Sequence, residues 1–296
     1  AGRSSSAICP GRTWTTAWRI DPSKTKALRA MAMPGDATPE TVKKGDGDVQ
    51  QRLTYPRIVP VGLNGFLVQF SGGLNEASNR AALAFKAAID LQAWRGIEET
   101  SSTLASSFLR FDTAALTHSQ MRARLTELLE QHDWYQAALP RGRRLLMIPC
   151  AFDAANGPQL SHAAELAGMD RATAIQSLTA APLRVMAIGY APGQPYAGEL
   201  PPAWDIPRME HVNPKVPGGA LVVAIRQVII FAADNPTGWR HIGQTAFQCF
   251  RPQQPDNPFA LRPGDELQLQ SVSAEQLFNL KSQDHSGDGG AVIRAL

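Results

Sequence analysis

Residues 188–245 read IGYAPGQPYAGELPPAWDIPRMEHVNPKVPGGALVVAIRQVIIFAADNPTGWRHIGQT, and this stretch decides what kind of fold the chain adopts. Three turn-dense clusters, APGQPYAGELPPAW, NPKVPGG and NPTGW, surround one apolar run from Ala220 to Ala233. Proline fixes φ and glycine tolerates φ > 0, so each cluster folds back reproducibly. On the residues alone these are the connections of a β-barrel. Loops so rich in Pro and Gly, set on rigid strands, are also where sites are built.

Moving outward, strand-like pieces at Leu183–Tyr190, Gly219–Ala233, Trp239–Phe250 and Glu266–Val272 carry the barrel reading. The turn Arg262-Pro263-Gly264-Asp265 leads into the last of them. Gln159–Ala167 and Asp170–Thr179 read as short helices, the second N-capped by Asp170. The tail after Gln283, DHSGDGG, is expected to fray. Upstream, Arg57–Phe70 holds two strand pieces about a turn at Leu63-Asn64-Gly65. Asn75–Trp94 has apolar residues at helical spacing and is expected to end at Gly96. Ile97–Thr100 and Ser106–Phe111 read as strands, Thr117–Tyr135 as an amphipathic helix, and Arg143–Pro149 as a closing strand. That β–α–β–β–α–β order is ferredoxin-like. Residues 1–53 show no sustained periodicity and are expected to be a disordered extension, because they bury too little apolar surface to offset ordering entropy.

The chain has 296 residues, 44% of them apolar, enough for two domains with real cores. A net charge of +3 without a basic block gives no reason to expect nucleic acid or an anionic membrane as partner. Cys9, Cys150 and Cys249 form neither a CxxC nor a disulfide framework, which fits a reducing cytoplasm. No run approaches the length of a membrane helix, and HExxH, GxSxG and P-loop motifs are absent from the sequence, so no metal site is expected.

The segments IGYAPGQPYAGEL (188–200), IPR (206–208), VPGGA (216–220), GWRHIGQT (238–245) and LRPGDELQL (261–269) resemble the B-subunit family of bacterial 5-oxoprolinase. That family is also called allophanate hydrolase subunit 1 and includes an inhibitor of a sporulation kinase. Its pattern is similar to GFxPGFPYLGxL, TPR, VPAGSVGI, PQTGIYP, PGGWxLIGRT and LRPGDxVxF, in that order. YPRIVPVGLNGFLVQF and IPCAFDAANGPQL extend the resemblance to about residues 57–272. It implies an α+β protein: a ferredoxin-like domain over 54–150 followed by a cyclophilin-like β-barrel domain over 151–296. It further implies a cytoplasmic protein that works with a homologous C-subunit and a third component to open 5-oxoproline to glutamate using ATP. Two other readings stand beside it: an allophanate hydrolase or urea carboxylase-type carboxyltransferase component served by a biotin carrier, and a non-catalytic regulator of a histidine kinase.

The resemblance places the pocket at the barrel mouth, and there the chain departs from the pattern. PQTGIYP is replaced by Arg226-Gln227-Val228-Ile229-Ile230-Phe231-Ala232, so a Thr-Gly pair becomes Val228-Ile229 and a tyrosine hydroxyl is lost at Phe231. Gln194 stands where the loop carries phenylalanine, and Leu178 where a helix histidine is common. Arg208 either clamps a carboxylate or phosphate or pairs with Asp205 or Glu210. Tyr196 either donates to a substrate or is a packed aromatic. Arg208 and Gln227 are the expected catalytic pair. Tyr196, Gln194, Lys215, Gly218, Gly219 and Phe231 are expected to line the substrate, a lactam or ureido compound. Backbone N–H groups of the Gly218-Gly219 turn are expected to face developing negative charge. His241 reads as a packed histidine, and Cys150 and Cys249 as inert core thiols.

Overall fold

The computed structural model describes residues 54–296; the extension expected over 1–53 lies outside them. Among the described residues no helix is long and apolar enough to cross a membrane. The described residues open with β1 (Arg57–Val61) and β2 (Gly65–Gln69), a hairpin, followed by α1 (Glu76–Gln92). Asn75 and Ser78 form a reciprocal capping box at its start. It ends at Ala93 in the left-handed region (φ 47°), ahead of Gly96, the glycine expected to stop it. β3 (Ile97–Ser102), β4 (Ser106–Phe111) and α2 (His118–Glu130) complete this part. The sheet order is β1-β2-β4-β3, antiparallel throughout. Phe66, Val68, Phe70, Phe85, Leu109, Phe111, Met121 and Leu125 form its core.

One strand does not go where the ferredoxin-like order puts it. Arg143–Pro149 is the expected closing strand of this sheet, but β5 (Arg144–Ala151) leaves it. It pairs in parallel with β13 (Glu266–Val272), from Leu145↔Glu266 to Ala151↔Val272. The edge it would have filled is already held by β1 on β2. A tight hairpin forms that pairing at little loop-closure cost, which frees the apolar run of β5 for the larger core.

The second part contains α3 (Leu160–Leu166), α4 (Arg171–Thr179), β6 (Leu183–Ile188), β7 (Pro195–Gly198), β9 (Ala220–Ala224), β10 (Gln227–Ile230) and β12 (Arg240–Thr245). With β5 and β13 these strands run β12-β9-β10-β7-β6-β13-β5 and close through a β12–β5 pairing into a seven-stranded barrel. A short ribbon, β8 (Asn213–Val216) with β11 (Asn235–Thr237), lies outside the ring. After α5 (Ala274–Gln283), the DHSGDGG stretch expected to fray is a turn in which Gly289 N–H donates to Asp284 Oδ2 at 3.0 Å, and β14 (Val292–Ala295) beyond it pairs with Arg144–Met147 of β5. β5 offers unpaired backbone groups there, because β12 covers only Cys150 and Ala151.

The long apolar run from Ala220 is two strands, β9 and β10, joined by Ile225-Arg226 with φ of 43° and 61°. Two consecutive positive φ values make the turn that matches sheet twist, a place where Asn-Gly is usual. A β-branched residue there is strained, and neighbouring backbone holds it in place. Ile225 N–H donates to Ile206 O at 2.8 Å, Arg226 N–H to Trp204 O at 3.0 Å, and Arg226 Nε to Leu200 O at 2.9 Å.

Candidate functional site

Alternation along β9 and β10 sorts their side chains onto two faces. Leu221, Val223, Val228 and Ile230 enter the barrel core with Leu146, Ile148, Val185, Ile242 and Leu267. Ala220, Val222, Ala224, Ile229 and Phe231 point outward and pack with Val216, Trp239 and Tyr196. This outer cluster is the floor of the candidate site.

Polar groups gather over that floor from three segments. Tyr196 on β7 sits opposite Ile229, and its ring meets Trp239 edge-on at 6.2 Å between centroids. The Arg208 guanidinium stacks over Trp239 with 5.7 Å to the ring centroid. Gln194 is 1% exposed, and its Oε1 accepts from Ala232 N–H at 3.5 Å. Burial raises the Tyr196 pKa; Arg208 and Gln194 oppose this, and the Tyr190 hydroxyl adds to it. Tyr196 is therefore a neutral phenol, able to donate, at ordinary pH. The loop that carries Gln194 turns at Gly193 (φ 72°), where a Cβ would lie 2.6 Å from Cys249 O. Only glycine permits that approach.

Of the expected residues, Arg208, Tyr196, Gln194 and Phe231 meet at this face. Gln227 lies on the same side, 3% exposed, one cross-strand pair further along, opposite Ala224 and Gly198. Arg208 pairs with neither Asp205 nor Glu210 among the described residues. The turn at 218–219 does not present free donors: Gly218 N–H donates to Asp234 Oδ1 at 3.0 Å, and Gly219 N–H to Phe231 O at 2.7 Å. The expectation that these amides face a developing anion is corrected on that geometry, since both hydrogens are already used. Lys215 is exposed on the ribbon and pairs with Asp234 Oδ2 at 3.0 Å.

The replaced Thr-Gly pair also divides between the faces. Val228 points into the barrel, so the lost hydroxyl does not touch the site. Ile229 faces it, filling the space beside Tyr196 that glycine would leave open. Two contributors, Tyr190 and Arg240, are not singled out by the sequence, and the role of Ile229 needs the register. Tyr190 lies in the left-handed region (φ 69°) beside Tyr196 and is 73% exposed. Ile229 changes the floor. Arg240 lies beneath the Arg208 loop. A non-glycine residue at positive φ is rare, but no sequence signal announces one.

Other chemistry-bearing groups are spoken for. His241 is 7% exposed, its Nε2 lies 3.1 Å from Gly243 O, and burial lowers its pKa. Burial pushes both core thiols up, Cys249 to about 12, so neither is a nucleophile near neutrality. A cavity of about 500 Å³ opens at the seam of α1 and the barrel, lined in part by Glu76, Arg184, Glu199, Arg226 and Glu266. Its charges pair off: Arg184–Glu76 at 2.9 Å, Arg226–Glu199 at 3.3 Å and Arg143–Glu266 at 2.8 Å.

Known proteins resemble this chain in fold and in sequence. The family model for the carboxyltransferase domain, subdomain C and D, matches residues 56–261. The chain is 24% identical over 243 residues to the 5-oxoprolinase B-subunit of Bacillus subtilis (strain 168), covering 77% of this chain and 98% of that protein. It is 31% identical over 140 residues to the 5-oxoprolinase B-subunit of Escherichia coli O157:H7, covering 47% of this chain and 64% of that one. Among solved structures, TTHA0988 superposes with a TM-score of 0.59 at 28% identity, covering 71% of this chain but 40% of its own. Kluyveromyces lactis urea carboxylase shares the fold, with a TM-score of 0.60 at 15% identity over 86% of this chain and 26% of the enzyme.

Proposed function

The chain belongs to the carboxyltransferase-domain family, subdomain C and D, and on that premise we propose that it is the B-subunit-like component of a 5-oxoprolinase-type amide hydrolase. The supporting observation is the convergence of Arg208, Tyr196 and Gln194 on one apolar floor, in a chain that spans 98% of the Bacillus subtilis 5-oxoprolinase B-subunit. In this reading the substrate is a small lactam or ureido compound opened by water. Arg208 receives its carboxylate or oxyanion, and the neutral Tyr196 phenol donates to the reacting carbonyl oxygen. Gln194 ties the loop before β7 to Ala232, while Ile229 and Trp239 hold the apolar part of the ring. Gln227 lines the far end of the face. The relatives' subunit naming supports a homologous partner, the C-subunit of the resemblance, and in TTHA0988 the matched region is 40% of a longer chain.

ATP would supply activation of the carbonyl oxygen. The Gly218 and Gly219 amides are occupied by Asp234 and Phe231, so that turn offers no donors to a triphosphate. In this reading ATP acts together with the partner subunits, and the residues named here bind and orient the substrate. A carboxyltransferase component fed by a biotin carrier is the second reading, favoured by the fold shared with urea carboxylase.

The test is 5-oxoproline-stimulated ATP turnover by this chain purified with its partner subunits. Stimulation that falls at least tenfold in kcat/KM for Arg208→Ala and Gln227→Ala supports the proposal. Full turnover in both variants removes their assignment. Turnover that appears only with a biotinylated carrier selects the second reading.

A further inference from the structure

Arg240 opens β12 and lies opposite Val223, on the face that turns into the barrel. It is 5% exposed. Its Nη1 donates to Pro207 O at 2.5 Å, and its Nε is sealed from solvent with no partner. No carboxylate among the described residues lies within ion-pair distance of it. Stripping a guanidinium of water without a counter-charge is costly, and native proteins rarely leave such a charge bare. Its pKa is lowered by burial, in keeping with that cost.

What covers Arg240 is the irregular loop 205–212, held by Met209 N–H to Gly238 O at 2.6 Å and by the Pro207 carbonyl. The residue after Pro207 is Arg208, stacked on Trp239 and also without an acid. Two guanidiniums, one buried and one exposed, thus bear on the same loop with no negative charge between them. The geometry points to a two-part anion-recognition point, with Arg240 as its buried half and Arg208 as its outer half, that takes one small oxyanion, a carboxylate or a phosphate. The fork of an arginine suits both. Binding would exchange the Pro207 carbonyl for the anion at Nη1 and give Nε its missing acceptor.

The alternative is a strut, in which Arg240 only ties Pro207 to the barrel. Thermal unfolding of the full chain separates the two, titrated with inorganic phosphate or acetate against chloride at matched ionic strength. The anion-recognition point requires a Tm rise of roughly 2–4 °C at saturation. In Arg240→Met that rise disappears while the anion-free Tm does not fall, and in Arg208→Met it weakens. A response to phosphate alone identifies a phosphate ligand, and a response to acetate as well identifies a carboxylate. A response no larger than that of chloride, or one that survives in Arg240→Met, overturns the inference. If Arg240→Met does not fold, Arg240→Lys decides: a midpoint moved at least tenfold to higher anion concentration supports it, and an unchanged titration overturns it. The inference rests on the proposed site only for the place of Arg208. Because the readout is thermal, its failure leaves the turnover test standing, and the reverse holds too.

Discussion

The β9–β10 hairpin is almost wholly apolar on both faces, yet the faces do different work. The inner one meets side chains from five other strands and is closed off. The outer one meets Tyr196, Trp239 and Val216, and polar groups from three segments stand over it. The difference lies in the surroundings rather than in the hairpin. Two adjacent isoleucines, Ile229 and Ile230, have the same composition and opposite roles because a strand alternates. Apolar content alone therefore says nothing about where a site is; the polar rim does.

The comparison breaks most visibly in stability. Ile230 is fully buried in the barrel core. Ile230→Ala is expected to cost about 2–5 kcal/mol, since the packed ring relaxes little around the cavity. Urea unfolding checks it. A cost below about 1 kcal/mol would mean that the inner face is loosely packed and the contrast between faces is false.

A second prediction sharpens the contrast through pH. Burial lowers the pKa of His241 below its ordinary 6.5. The unfolded chain then takes up a proton first as pH falls, so the contribution to stability is complete above about pH 6.5. It is lost as pH drops toward the folded value, with a slope of up to about 1.4 kcal/mol per pH unit. His241→Gln keeps a donor for Gly243 O and removes the titration. Unfolding free energies measured from about pH 7.5 to about pH 5 should show a flatter profile in the variant. Parallel profiles would show that His241 stays accessible to protons in the folded chain.

Much of the fold is legible in the sequence, for physical reasons that differ by element. Glu266–Val272 alternates cleanly after a Pro-Gly turn and forms the strand read there. Asp170 caps its helix through Thr173 N–H at 2.7 Å, as a short acceptor at that position should. The destination of Arg143–Pro149 is not legible, because an apolar run records burial without recording which sheet buries it. The Ile225-Arg226 turn carries no turn residues; contacts from Trp204, Leu200 and Ile206 impose it. The candidate-site residues Arg208, Tyr196 and Gln194 come from ordered motifs. That Val228 and Ile229 part company across the strand needs the register, and so do the occupied amides of Gly218 and Gly219.

The smallest expected effect bears on those amides. Lys215 and Asp234 are exposed, at 73% and 55%, and their pair at 3.0 Å is a surface one. The Asp234 pKa is lowered first by the Gly218 N–H bond and then by Lys215. Exposed pairs contribute little, so Lys215→Ala should change unfolding free energy by less than about 0.5 kcal/mol, and less again in high salt. If the proposed function holds, turnover with 5-oxoproline should be unchanged within about twofold. Asp234 keeps its hold on the Gly218 amide without help from the lysine. A large loss of turnover with unchanged stability would contradict it: Lys215 would then leave Asp234 to bind substrate, and the amide turn would belong to the outer face after all.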